Sequence, residues 1–110
     1  MTTIEMNSDY ATLINVFTVD PDRAADLAAL LDTATEHVMR KRPGFRSANI
    51  HVSTDRTRVL NYAQWDSAEA YRAMLADPTA RQHMGEAASM AISFDPHLYT
   101  VESVHERGEG

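Results

Sequence analysis

Residues 58–72 read RVLNYAQWDSAEAYR, a strand that runs straight into a helix. Arg58–Trp65 alternates, with Val59, Asn61, Ala63 and Trp65 on one face. Asp66 followed by Glu69 resembles a capping box, so a short helix is expected to open there and continue to Ala76. Upstream, Thr54-Asp55-Arg56-Thr57 reads as a turn. Before it, Phe45–Ser53 alternates with Ala48, Ile50 and Val52 on one face, and the two strands make a β-hairpin. Further back, Ala11–Val19 is apolar and β-branched, with Leu13, Asn15, Phe17 and Val19 on one face and Thr12, Ile14, Val16 and Thr18 on the other.

Between these strands, Asp20-Pro21 starts a helix: Asp20 can cap free N–H groups, and Pro21 lacks the N–H that a first turn cannot use. Ala24, Leu27, Ala28, Leu31, Ala34 and Val38 recur at helical spacing. Arg40, Lys41 and Arg42 suit the negative end of the helix dipole, and Pro43-Gly44 stops the helix. Downstream, Asp77-Pro78 starts another helical stretch near Thr79–Ala91, Asp95-Pro96 is read as a breaker, and Leu98–His105 as the last strand.

The order β-α-β-β-α-β has a standard solution, a split βαβ of the ferredoxin-like α+β class, in which an antiparallel sheet carries both helices on one face. A right-handed crossover leaves a gap beside the first strand, and the third strand fills it. Asn15 and Asn61, far apart in sequence, then point into one space between sheet and helices. The opposite sheet face keeps Ile14, Val16, Leu60 and Tyr62, so it needs a cover, and a homodimer packed sheet to sheet is expected.

Composition narrows the rest. The chain has 110 residues, which fits one domain over 11–105 with a flexible segment at 1–10 and a polar tail at 106–110. With no cysteine, thiolate metal sites, disulfides and cysteine nucleophiles are excluded. A net charge of −6 argues against nucleic acid and anionic membranes as partners. The first ten residues lack a signal-peptide pattern and no apolar run approaches the roughly 20 residues of a membrane span, so a cytoplasmic location is expected. The five histidines show no close ligand spacing, and no metal site is expected.

Val59–Trp65 followed by Asp66–Arg72 resembles the junction of third strand and helix in the antibiotic biosynthesis monooxygenase family. Ser53-Thr54-Asp55, Asn15–Val19 and Pro43-Gly44-Phe45 agree with it, and the likeness covers about residues 11–105. The nearest resemblance is to the quinone-forming and anthrone-oxidising branches of aromatic polyketide pathways. It implies a dimeric α/β-barrel assembly and oxidation of a fused-ring phenol to a quinone by O₂ as co-substrate, with no bound cofactor. Carried over residue by residue, it implies catalytic roles for Asn15, Asn61 and Trp65 and a pocket role for Tyr71. The quinone-forming branch has a helical arginine where this chain has Met84 or the nearby His83.

The chemistry is consistent with those residue types. Triplet O₂ reacts slowly with closed-shell molecules, and most enzymes recruit a flavin or metal for it. An anthrone enolate is electron-rich enough to pass an electron to O₂ itself. The protein must then supply a dry flat pocket, donors for the enolate oxygen and a proton route. Asn15 and Asn61 are candidate donors, Trp65 a flat wall, and Phe17, Tyr71, Met74, His83 and Met84 candidate substrate-binding residues. His51 shares a strand face with Ser47 and Asn49 and reads as solvent or interface. A haem-degrading branch of the same superfamily is the alternative, but its helical Trp position holds Ala73 or Met74. A third reading is a binding dimer on the same scaffold with no oxygenase activity.

Overall fold

A computed structural model describes residues 1–6 and 9–108. Positions 7 and 8 of the expected N-terminal segment, and 109 and 110 of the expected tail, lie outside the described residues. The strands are β1 (Ala11–Thr18), β2 (Phe45–Val52), β3 (Arg58–Trp65) and β4 (Ser93–Tyr99); the helices are α1 (Ala24–His37), α2 (Ala68–Ala76) and α3 (Pro78–Met90). The sheet order is β2-β3-β1-β4 and every pairing is antiparallel. This is the ferredoxin-like α+β arrangement, with β1 and β3 as central neighbours.

The β1–β3 register runs without a break from Ala11↔Trp65 to Thr18↔Arg58. It sets Leu13 against Ala63, Asn15 against Asn61 and Phe17 against Val59 on the helix side. The buried apolar residues form two clusters. One gathers Leu13, Met39, Ala63, Trp65, Tyr71, Met74 and Ala80, and the other Phe17, Val19, Ala24, Leu27, Leu31, Val59 and Ala87. The paired asparagines fall on the rung between these two clusters. That rung continues outward to Ile50 on β2 and Pro96 on β4.

Gly44 fixes how the helix layer meets the sheet. Its φ is +84°, and a Cβ there would overlap the Cβ of Ala70 in the first turn of α2. Its carbonyl accepts from the Asp66 N–H at 2.7 Å. The chain can therefore enter β2 so that the edge of Phe45 meets the Trp65 ring at a centroid distance of 5.4 Å and 85°.

The structure departs from the sequence expectation in four places. The expected continuous first helix is instead a 3₁₀ turn at Pro21–Arg23, α1, and a second 3₁₀ turn at Met39–Lys41. Val38 at φ −125° and ψ −61° breaks the ladder between the last two. The cap of α2 is Ser67, whose hydroxyl accepts from the Ala70 N–H at 3.0 Å. Asp66 does not cap it, because its own N–H is held by Gly44 and its carboxylate lies 3.7 Å from Arg46. The last strand is Ser93–Tyr99, not Leu98–His105, and Asp95-Pro96 lies within it. β4 is an edge strand, where a proline without an N–H is tolerated, and pairing with β1 runs through it from Ser93 to Tyr99. The β2–β3 pairing also carries an irregularity at Arg46, between Phe45 and Ser47.

The hairpin turn owes its shape to Asp55. Its carboxylate accepts from the Ser53 hydroxyl at 2.7 Å, the Thr57 N–H at 3.0 Å and the Thr57 hydroxyl at 2.8 Å. These bonds favour the charged form, the Ser53 bond most, and lower the carboxyl from 3.8 to about 2. Between those two values the folded state binds fewer protons than the unfolded chain. The contribution is therefore complete above pH 3.8 and is lost as pH falls to 2. Asp55→Asn is expected to flatten the fall in thermal midpoint over that acid window, read by circular dichroism. An unchanged acid slope would remove Asp55 from this role.

The face away from the helices is partly open. Ile14, Val16, Leu60 and Tyr62 lie half-exposed on it, and all seven residues of β4 are exposed. Part of this face is crossed by the N-terminal residues: Thr2 donates to the Asn49 side chain at 2.9 Å, and Gln64 donates to the Thr3 carbonyl at 2.7 Å. No helix among the described residues is long and apolar enough to cross a membrane.

Candidate active site

Between the sheet and the helices lies a hollow whose empty space, counted out to its mouth, is about 570 Å³. The part of it that admits a water-sized sphere is about 40 Å³, so a flat ring enters only as the flexible side chains around it move. Seven of the eight residues singled out from sequence line it: Asn15, Phe17, Asn61, Trp65, Met74, His83 and Met84. Tyr71 does not. It lines a neighbouring hollow and reaches the first only through its ring, 6.3 Å from that of Trp65. His51 lies on the opposite, open face of the sheet, its Nδ1 3.0 Å from the Asn49 carbonyl.

The walls are apolar apart from a few groups whose hydrogen-bonding capacity is unused. Five buried side-chain polar atoms among the described residues have no partner, and three of them belong to Asn15 (Oδ1), Asn61 (Oδ1) and His83 (Nδ1), all on this hollow. An unpaired buried polar group costs about 1–3 kcal/mol, so native cores rarely keep one without a reason. Three such atoms lie on the walls of one space. Asn15 is 3% exposed and Asn61 half-buried, and the ladder places them directly opposite one another. Trp65, 2% exposed, supplies a flat wall beside them.

His83 is the one titratable side chain among the lining residues. Tyr71, next door, is buried, and burial pushes its phenol above the ordinary value, so it stays a neutral hydroxyl at physiological pH. Among the described residues no three His, Cys, Asp or Glu side chains form a group able to hold a metal.

Sequence reasoning missed part of the wall. Leu30, Leu31, Ala34 and Thr35 of α1 line the hollow, as does Met39. The α1 residues carry the same spacing as ordinary core. Met39 lies in the 3₁₀ turn that follows the break at Val38, and nothing in the sequence marks that break. Met39, Met74 and Met84 make three unbranched, deformable walls around a narrow space, so ring systems of different outline can be admitted by changes of rotamer.

A four-stranded antiparallel sheet with a helical layer packed on one face defines an α+β domain of the ferredoxin-like class. The chain belongs to the antibiotic biosynthesis monooxygenase family, which matches it over residues 11–86. It is 43% identical over 91 residues to the tetracenomycin-F1 monooxygenase of Streptomyces glaucescens, covering 83% of this chain and 81% of that one. A crystal structure of a monooxygenase from Streptomyces coelicolor in complex with nanaomycin D is 30% identical, with a TM-score of 0.80 over 92% of this chain and 94% of that chain. A cofactor-independent oxygenase from Streptomyces nogalater shares the fold at 22% identity, with a TM-score of 0.77 over 88% of this chain and 97% of that one. The protein is an oxidoreductase of the monooxygenase type.

Proposed function

We propose that this protein oxidises an aromatic polyketide, an anthrone- or naphthacenone-like phenol, to the quinone with O₂ as co-substrate and no bound cofactor. The observation that carries the reading is the convergence of Asn15, Asn61 and His83, each with a buried polar atom lacking a partner among the described residues, on one apolar, aromatic-walled hollow. The tetracenomycin-F1 and nanaomycin D names of the relatives supply the substrate class.

His83, whose buried Nδ1 has no partner among the described residues, takes a proton from the ring methylene. The resulting enolate oxygen is held by the amide N–H groups of Asn15 and Asn61, each of which can turn its N–H₂ toward that space. Such donors stabilise developing negative charge without reorganising at the moment of reaction. Trp65 stacks on the ring plane and excludes water. One electron passes from the enolate to O₂. The two radicals combine at the former methylene carbon, and the hydroperoxide loses water to leave a carbonyl. In sum, CH₂ plus O₂ gives C=O plus H₂O, so substrate and dioxygen between them supply all the electrons.

The protein acts in the cytoplasm as a homodimer. A second copy packed on the half-exposed face of Ile14, Val16, Leu60 and Tyr62 completes the assembly. The test uses purified, chelator-treated protein in air with 1,8-dihydroxyanthrone, following quinone absorbance and O₂ together. One O₂ consumed per quinone, from a particle of twice the 12.3 kDa chain mass by light scattering, is the expected result. Turnover that disappears with chelation and returns with added metal would refute it.

A further inference from the structure

The hollow that holds the two amides is bounded on its β4 side by side chains that it shares with a neighbouring hollow. Asn15, Phe17 and Met84 line it and also line a second hollow of about 780 Å³ counted to its mouth, which opens between α2, α3 and β4. The helical repeat explains the division. Ala80, His83 and Ala87 face inward, while Arg81, Gly85 and Ala88, at spacings of four and three, face the second hollow, and Met84 stands at the boundary. Pro96, on the same rung as Asn15, forms part of the far wall.

Arg81 is the one charged residue lining this second hollow. Its side chain has no ion-pair or hydrogen-bond partner among the described residues, as is also true of Arg23, Arg56, Arg58 and Arg72; what sets it apart is its place on the rim of an apolar hollow. An unpaired guanidinium at the mouth of an apolar space is matched by a planar anion, and its two-pronged donor geometry fits a carboxylate. The chain carries a net charge of −6, so an anionic ligand gains nothing from the overall field and depends on this local cation.

We infer that the outer hollow receives the terminal ring of a linear fused-ring substrate and that Arg81 binds a carboxylate on that ring, making it a specificity-determining residue. The assignment rests on the quinone-forming reading of the inner site. It adds the polarity of the substrate: the ring to be oxidised lies over the Asn15–Asn61 pair, and the acidic end points out past Met84. Gly85 keeps the space open. A Cβ built there meets nothing within 4 Å, so a larger side chain enters the hollow without disturbing the fold.

The experiment compares neutral anthrone with anthrone-2-carboxylate. Binding is read without O₂ by quenching of Trp65, the only tryptophan, and turnover is read separately in air. Wild type is expected to favour the carboxylated probe. Arg81→Gln is expected to reduce that preference about tenfold, and Arg81→Lys to restore part of it. Gly85→Leu is expected to weaken the carboxylated probe by filling the space while leaving the charge. Arg23→Gln, an exposed arginine remote from both hollows, serves as control. Equal weakening of both probes in Arg81→Gln, or no weakening, overturns the role of Arg81, as does failure of either probe to bind. Discrimination in binding with no oxidation of either probe leaves Arg81 in place and refutes the quinone-forming reading instead.

Discussion

Asn61→Ala lowers anthrone turnover about 100- to 1000-fold, the loss expected when one donor is removed from an oxyanion site. The same substitution leaves the thermal midpoint within about 3 °C of wild type. The combination is diagnostic. Among the described residues Asn61 makes no side-chain hydrogen bond and its buried Oδ1 has no partner, so removing the amide relieves a desolvation cost that offsets the lost packing. A structural asparagine would behave the opposite way, losing stability and sparing activity. Turnover by 1,8-dihydroxyanthrone assay, beside a melt followed by circular dichroism, separates the two. Activity within about threefold of wild type would take Asn61 out of the catalytic set.

Gly44→Ala carries the largest expected effect on stability, about 3 kcal/mol, or a fall of roughly 15 °C in thermal midpoint. Two costs coincide at this residue. Its φ of +84° is unfavourable for any residue with a Cβ, and that Cβ would collide with Ala70. Neither neighbour yields easily. Ala70 lies in the first turn of α2, which Ser67 caps, and the Gly44 carbonyl is tied to Asp66. The sheet-to-helix junction must open, and with it the edge contact of Phe45 on Trp65. A loss of this size is a large share of the 5–15 kcal/mol typical of a domain. A midpoint within about 3 °C of wild type would show that the junction can slide, contrary to this argument.

Much of the site was legible in the sequence because it rests on period two. Once β1 and β3 are neighbours, the alternation that sends Leu13 and Phe17 inward must send Asn15 with them, and the same holds for Val59, Asn61 and Ala63. The end of the chain was less legible. Asp95-Pro96 has the signature of a breaker, and only the exposed outer edge of the sheet makes it admissible inside β4. Arg81 escaped notice because α3 faces two hollows at once, and a single amphipathic stripe does not describe such a helix. Met39 escaped because it lies beyond the break at Val38, outside α1.

The uninterrupted ladder between β1 and β3 has a consequence for how this chain can diverge. Whether a strand residue meets ligand or solvent is a matter of odd and even. Deleting one residue inside either central strand inverts that parity along the rest of the strand, sending an amide outward and bringing Ile14 or Tyr62 in. Descendants of this chain can therefore exchange side chains at fixed places in these two strands, but they can change strand length only in steps of two.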